Sequence, residues 1–301
     1  MTRILFLFID GVGLGPDSPE NPLSTLDLPS FRALAGRQPW TSRSETIDRP
    51  DHVFRPIDAT LGLEGLPQSG TGQATLLTGE NAARIHGRHF GPYPPTTVRP
   101  TVQDKSVFAQ LAPLIGTDRL AFANAYPERF FQHVEARGRW TVTTLAARSA
   151  GVRLRREADV RDGIAIPADL TGRTWQRLFD ADAEPISEAE AARRLVALLD
   201  DHTFVLHEYY LTDKAGHSQD PARAASVLES LDRLFAGVLE AAGPDDVLLI
   251  TSDHGNIEDL GTKSHTRHPV PLVAWGAGAD AFSSCRSLLD VTPTIVELLT
   301  R

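Results

Sequence analysis

Apolar residues in this chain gather into short runs at 4–9, 120–123, 203–208, 247–251 and 270–275, rich in β-branched and aromatic side chains. Runs of that kind, without polar alternation, mark strands buried on both faces, as in a parallel sheet. Between them, helical spacing predicts helices over 71–78, 107–114, 187–199, 221–241 and 293–299. Several of these follow a Ser, Thr or Asp that can cap the first turn, and Gly79 and Gly243 stand where two of them should stop. Strands alternating with helices predict an α/β fold, a three-layer sandwich built on a mainly parallel sheet. Over 127–184 the periodicity breaks down, Arg is frequent, and glycines recur at Gly138, Gly151, Gly163 and Gly172. That stretch reads as a small inserted cap, with the core divided into 1–126 and 185–301. The Pro-rich segment 91–100 reads as an ordered surface loop, given its Tyr and Phe neighbours.

Composition narrows the function classes. The 301 residues are 41% hydrophobic and 23% charged, values of an ordinary globular protein with ample core. A formal net charge of -9 argues against a broad nucleic-acid or anionic-membrane footprint. Cys285 is the single cysteine, so no internal disulfide can form. The first apolar run is shorter than a signal core and is stopped by Asp10, and no stretch approaches the roughly 20 apolar residues of a membrane span. The expected location is the cytoplasm.

Chemistry-bearing residues cluster just after the predicted strands. Asp213 and His217 stand four apart in Asp-Lys-Ala-Gly-His, close enough to face one cation, although an exposed Asp and a helix-start His would give the same letters. Asp253 and His254 follow the run 247–251 directly, at the end of a parallel strand where ligands ordinarily bind. A turn would account for the Asp but not for the His. His265 and His268 lie in one loop before the last strand, and spacing does not choose between them. Asp10 ends the first strand, followed by Gly-Val-Gly-Leu-Gly. Those glycines do not make a dinucleotide loop: their spacing differs, and Pro16 and Pro19 prevent the helix that would hold a pyrophosphate. Finally, 68–79 offers the hydroxyl of Thr71 at a predicted helix start, where free N–H groups favour an oxyanion; a capping role is the competing explanation.

Taken in order, Asp10, Thr71, Asp213 with His217, Asp253 with His254, and His265 resemble the alkaline phosphatase superfamily, in particular the metalloenzyme branch that holds cofactor-independent phosphoglycerate mutase and phosphopentomutase. The pieces that carry the resemblance are Asp-His-Gly-Asn, Ser-His-Thr-Arg-His-Pro-Val-Pro, Asp-Lys-Ala-Gly-His and the closing Leu-Leu-Asp-Val-Thr-Pro-Thr-Ile-Val-Glu-Leu-Leu. The resemblance spans about 1–125 and 187–301 and leaves the cap unmatched. It implies an alkaline phosphatase-like core holding two divalent ions, Mn or Zn. One ion would sit on Asp213, His217 and His265, the other on Asp10, Thr71, Asp253 and His254. Two divalent cations supply four positive charges, offsetting three carboxylates and one Thr71 alkoxide.

The resemblance further implies phosphoryl transfer from a small phosphate monoester, with Thr71 as nucleophile and a phosphothreonine intermediate. Donors for the substrate would come from Arg84, Arg129 and Lys214, with Arg88, His89 and Arg267 as further candidates. The chain has no room for the large second domain of the phosphoglycerate mutases, which favours a hydrolase over a mutase. A phosphodiesterase, or a catalytically inactive metal-binding module, is the alternative. A sulfatase would need a cysteine-derived nucleophile at the Thr71 position, and Cys285 is remote from it.

Overall fold

A computed structural model of the chain describes residues 2–175 and 184–301. Among the described residues there are ten strands: β1 (Arg3–Ile9), β2 (Ile47–Arg49), β3 (His52–Ile57), β4 (Leu120–Phe122), β5 (Asn124–Tyr126), β6 (Arg155–Arg156), β7 (Ile166–Pro167), β8 (Phe204–Tyr209), β9 (Asp246–Thr251) and β10 (Val270–Trp275). Seven of them form one sheet in the order β2-β3-β10-β9-β1-β8-β4. β9, β1, β8 and β4 run parallel, while β10, β3 and β2 are antiparallel to their neighbours. The five strands expected from apolar runs are all in this sheet. β2 and β3 are additions, and the chemistry explains why they gave no run: β3 reads His-Val-Phe-Arg-Pro-Ile. Its Pro56 lies beyond the three residue pairs that join β2 to β3, where no ladder bond to β2 is lost.

Alternation along β1 divides the core. Ile4, Phe6 and Phe8 pack with Leu76, Phe108, Ala146 and Ile295 in one layer. Those partners come from the helices Ser69–Thr78, Val107–Ile115, Val142–Ser149 and Val291–Thr300. Leu5, Leu7 and Ile9 pack on the other side with Phe31, Leu195, Leu228 and Phe235. These belong to Pro29–Leu34, Glu188–Ala197 and Pro221–Ala241. A sheet buried on both faces by helices is the three-layer α/β arrangement. Helix ends follow the capping logic: Ser187, Ser106 and Asp220 accept N–H groups of their first turns, and Gly79 closes its helix at φ 75°.

A second sheet, β6-β5-β7, is small and parallel. Asn124 ties it to the main sheet: its Oδ1 accepts the Glu208 N–H at 2.8 Å and its Nδ2 donates to the Glu208 carbonyl at 2.7 Å. Part of the expected cap, 176–183, lies outside the described residues. Among the described residues no helix is long and apolar enough to cross a membrane.

One side chain joins two helices of the outer layer. Asp232, buried on Pro221–Ala241, accepts the N–H groups of Ser30 (2.8 Å) and Phe31 (3.1 Å) in the first turn of Pro29–Leu34. Asp232→Ala leaves both donors without this acceptor and is expected to lower the unfolding free energy by about 1–2 kcal/mol. Urea unfolding measures this directly, and an unchanged midpoint would count against the cap.

Candidate functional site

The parallel strands β1, β8 and β9 end on one side of the sheet, and each is followed at once by an acidic residue of the site. Asp10 follows β1, Asp213 lies on the helix Leu211–Ser218 that follows β8, and Asp253 follows β9. The loop before β10 adds His265. These residues converge in two groups, Asp213, His217 and His265, and Asp10, Asp253 and His254; within each, one ligand-type atom per residue lies within 4.8 Å of the others.

Bond geometry sets the direction in which the histidines face. His265 Nδ1 lies 2.8 Å from the Pro67 carbonyl oxygen and His217 Nδ1 2.7 Å from that of Lys263, so both Nδ1 atoms carry the proton and donate. That leaves each Nε2 a lone pair, and these two Nε2 atoms face one another at 3.1 Å. Asp213 stands 3.4 Å from His265 Nε2 and 3.3 Å from His217 Nε2. In the other group His254 Nε2 is 3.4 Å from both Asp10 Oδ1 and Asp253 Oδ2, two buried oxygens that have no hydrogen-bond partner. The rings of His254 and His265 stack at 3.7 Å, which joins the groups into one centre. Converging lone pairs and orphaned carboxylate oxygens fit divalent cations, and backbone acceptors on Nδ1 fix the tautomer that metal binding needs.

Electrostatics point the same way. Burial, with repulsion from Asp213, pushes Asp253 up to about 7. Burial and the charges of Asp253 and Asp213 raise Asp10 well above the usual carboxylate range. Burial beside His265 brings His254 down to about 3, keeping it neutral and able to ligate. Asp213 moves oppositely: burial opposes its ionisation, but hydrogen bonds from His265, whose Nε2 carries a proton once the ring is charged, and from Asn256 hold it well below the ordinary range.

The loops around this centre are fastened by Glu258, a residue the sequence did not single out. Its Oε2 accepts from Gly13 N at 2.8 Å and Asn256 N at 2.7 Å, while Oε1 accepts from the Thr266 hydroxyl and from His268 Nδ1 at 3.1 Å. The loops bearing Asp10, Asp253 and His265 are thus held by one buried carboxylate. His268 is engaged there, and His265 is the histidine of that loop that joins the centre. The run Gly-Val-Gly-Leu-Gly also gains a reason: a Cβ on Gly13 would lie 2.3 Å from Glu258 Oε1, and Gly11, at φ 71°, lies against the backbone of Asp213. Asn256 Nδ2 donates to Asp213 Oδ1 at 2.6 Å, fixing that carboxylate.

Thr71 does not join the centre. Its hydroxyl accepts the Phe90 N–H at 3.1 Å, and it lies fully buried against the loop 87–98. The hydroxyl that faces the histidines belongs to Ser69, whose Oγ is 3.0 Å from His254 Nε2. The helix begins at Ser69, not at Thr71, and two positions along a helix turn a side chain through about 200°, so the two hydroxyls point to opposite sides. Ser69 and Asp213 each open to two clefts: one with His217 and His265, the other with Asp10, Glu208 and Lys214. Of the expected substrate donors, Lys214 lines the second cleft; Arg84 and Arg129 are exposed and line neither. His89 contacts the Thr60 carbonyl oxygen, and Arg267 donates to the Gly65 carbonyl.

The chain is similar to known proteins both in sequence and in fold. Residues 178–300 match the model of the Metalloenzyme superfamily. Phosphopentomutase of Chromohalobacter salexigens is 39% identical over 102 residues, 34% of this chain and 22% of that enzyme. Phosphopentomutase of Shewanella woodyi is 32% identical over 141 residues, 46% of this chain and 32% of that enzyme. The matches therefore span about a third or less of these relatives. The fold is similar to that of the PH0037 protein from Pyrococcus horikoshii, with TM-score 0.56 at 17% identity over 99% of this chain and 96% of the other. It is also similar to the alkaline phosphatase of the Antarctic bacterium TAB5, with TM-score 0.54 at 12% identity over 99% and 98%.

The crowded carboxylates give a pH signature. Folding favours the neutral form of Asp253, so its stabilising contribution is intact below the unfolded value near 4 and is lost as pH rises through about 7. Without divalent ions the melting temperature should fall from about pH 5 to about pH 8, and Mn or Zn should flatten or reverse that trend. Calorimetry with and without EDTA tests it; a metal-free midpoint that climbs with pH would contradict the assignment.

Proposed function

We propose that this chain, a member of the metalloenzyme branch of the alkaline phosphatase superfamily, moves the phosphoryl group of a small phosphate monoester through a covalent adduct on Ser69. The observation that carries the reading is the position of Ser69 Oγ, 3.0 Å from His254 Nε2, between the two carboxylate-histidine groups and in the first turn of the helix Ser69–Thr78. Asp213, His217 and His265 would hold one divalent ion; Asp10, Asp253, His254 and Ser69 would hold the other, with Mn and Zn both suited to this nitrogen and oxygen set. Bound there, the ions supply Lewis-acid neutralisation of the phosphoryl oxygens and of the serine alkoxide.

The residues of the chain do the rest. Ser69 Oγ, having lost its proton, forms a bond to phosphorus as the ester P–O bond breaks, and the departing alcohol oxygen takes up a proton. The ammonium of Lys214, which lines the same cleft as Ser69, would face the phosphoryl oxygens, and the start of the helix Ser69–Thr78 favours negative charge there. Water then attacks phosphorus, releasing inorganic phosphate and restoring the serine. That makes the enzyme a phosphohydrolase. A second substrate hydroxyl collecting the phosphoryl group would instead make it a mutase, as the phosphopentomutase relatives are named.

With metal restored, Ser69→Ala should cut turnover of a phosphate monoester by roughly a thousandfold or more. Thr71→Val should retain most of it, because the nearby contacts of Thr71 are structural. Intact-mass measurement after acid quench should find phosphate on wild type and not on Ser69→Ala. The opposite ranking of the two variants would return the nucleophile to Thr71.

A further inference from the structure

The cleft on the Asp10 side of Ser69 has a volume of about 380 Å³, within the range of small-ligand sites. Its walls carry five aromatic rings, from Tyr93, Tyr126, Phe130, Trp175 and Tyr210. Tyr126 and Phe130 stack on each other, centroids 4.2 Å apart and planes 18° from parallel. The cleft is poor in positive charge: among the described residues that line it, Lys214 is the sole cation, with its Nζ 4.5 Å from the centroid of the Tyr210 ring.

Glu208, at the end of β8, brings a carboxyl group into the same cleft, and its Oε2 accepts a hydrogen bond from Thr143. Burial pushes this carboxyl up to about 7, with the Thr143 bond opposing the rise. Such a group hydrogen-bonds readily with a hydroxyl or a ring nitrogen and opposes a second anion.

We propose that this cleft receives the leaving-group half of the substrate, an uncharged alcohol that carries an aromatic ring, so that the ester is a nucleoside monophosphate or an aryl phosphate and not a bisphosphate or a phosphorylated acid. The inference rests on Ser69 as phosphoryl acceptor, since that places the scissile oxygen at the mouth of the cleft. A second phosphate or carboxylate would meet Glu208 where recognition of such groups calls for arginine. A bare polyol would leave the apolar surface that half-buried Phe130 presents to the cleft uncovered, whereas a flat ring can pack against it. Lys214, beside Asp213, serves the phosphoryl end, and among the described residues the far end has no cation.

Two measurements on the full chain test this. In the metal-loaded enzyme, kcat/KM is compared for adenosine 5′-monophosphate, phenyl phosphate, glycerol 1-phosphate and glucose 1,6-bisphosphate. Binding of adenosine and of phenol, which carry no phosphate, is followed by tryptophan fluorescence and saturation-transfer NMR without metal. At least one ring-bearing ester should exceed glycerol phosphate by about tenfold or more in kcat/KM, and its identity separates the nucleoside from the aryl source. Phe130→Ala should shrink that gap through KM, and Glu208→Gln should weaken the discrimination against the bisphosphate. Turnover that favours glycerol phosphate or the bisphosphate overturns the inference and leaves the Ser69 reading standing. Adenosine or phenol binding without turnover of any ester sinks the Ser69 reading and supports the cleft assignment. Neither binding nor turnover overturns both.

Discussion

The structure is organised around the mutual repulsion of three carboxylates. Asp10, Asp213 and Asp253 converge at one end of a buried sheet, two of them with oxygens that no donor reaches. In a medium of low dielectric such a group cannot remain fully ionised unless positive charge is brought to it. The directions of the perturbed acidities, Asp10 and Asp253 up and Asp213 down, reflect where histidines relieve the strain and where they do not. The cost of holding these acids together and their fitness for cations therefore have one electrostatic origin.

Holding repelling groups together requires a rigid frame, and the sequence builds it from backbone and one glutamate. Parallel strands deliver the acids to a common edge, and Glu258 joins the loops after β1 and β9 to the loop before β10 through four donors. Glycines at positions 11 and 13 let the first loop come close enough to be held. A carboxylate with all its partners present costs little to bury, while the same group stripped of one donor would be expensive. The frame and the centre thus use the same chemical group in opposite ways, one satisfied and the other left open.

Much of this was legible in the sequence, for identifiable reasons. β1, β8 and β9 are buried on both faces, so each carries a compact apolar stretch, though His207 and Glu208 interrupt that of β8, and their ends could be read to within a residue or so. That is why Asp10, Asp213, Asp253 and His254 could be placed together before any coordinates. β2 and β3 were not legible because partial exposure admits Asp, Arg and Pro into them. The sequence pointed to the hydroxyl of Thr71, whereas the one beside His254 is that of Ser69, because a helix boundary is the least visible feature of a helix and here the first turn carries both. Glu258 left no periodic trace at all, since its role exists only where segments some 240 positions apart in the chain meet. Arg84 and Arg129 line neither cleft, because neither charge nor a loose likeness in sequence reveals which way a surface helix faces.

The central position of β1 has a consequence for how the molecule comes into being. Its residues 3–9 pair on one side with 204–209 and on the other with 246–251, so both partners are made long after the strand itself. At roughly 5–20 residues per second of synthesis, the apolar run 4–9 would wait on the order of 10–40 s for its neighbours. During that interval it is an open edge on both sides, a template for association with other nascent chains. Long-range pairing of this kind also slows refolding. The topology that gathers the site from distant segments makes the newborn chain dependent on shielding until β8 and β9 have emerged.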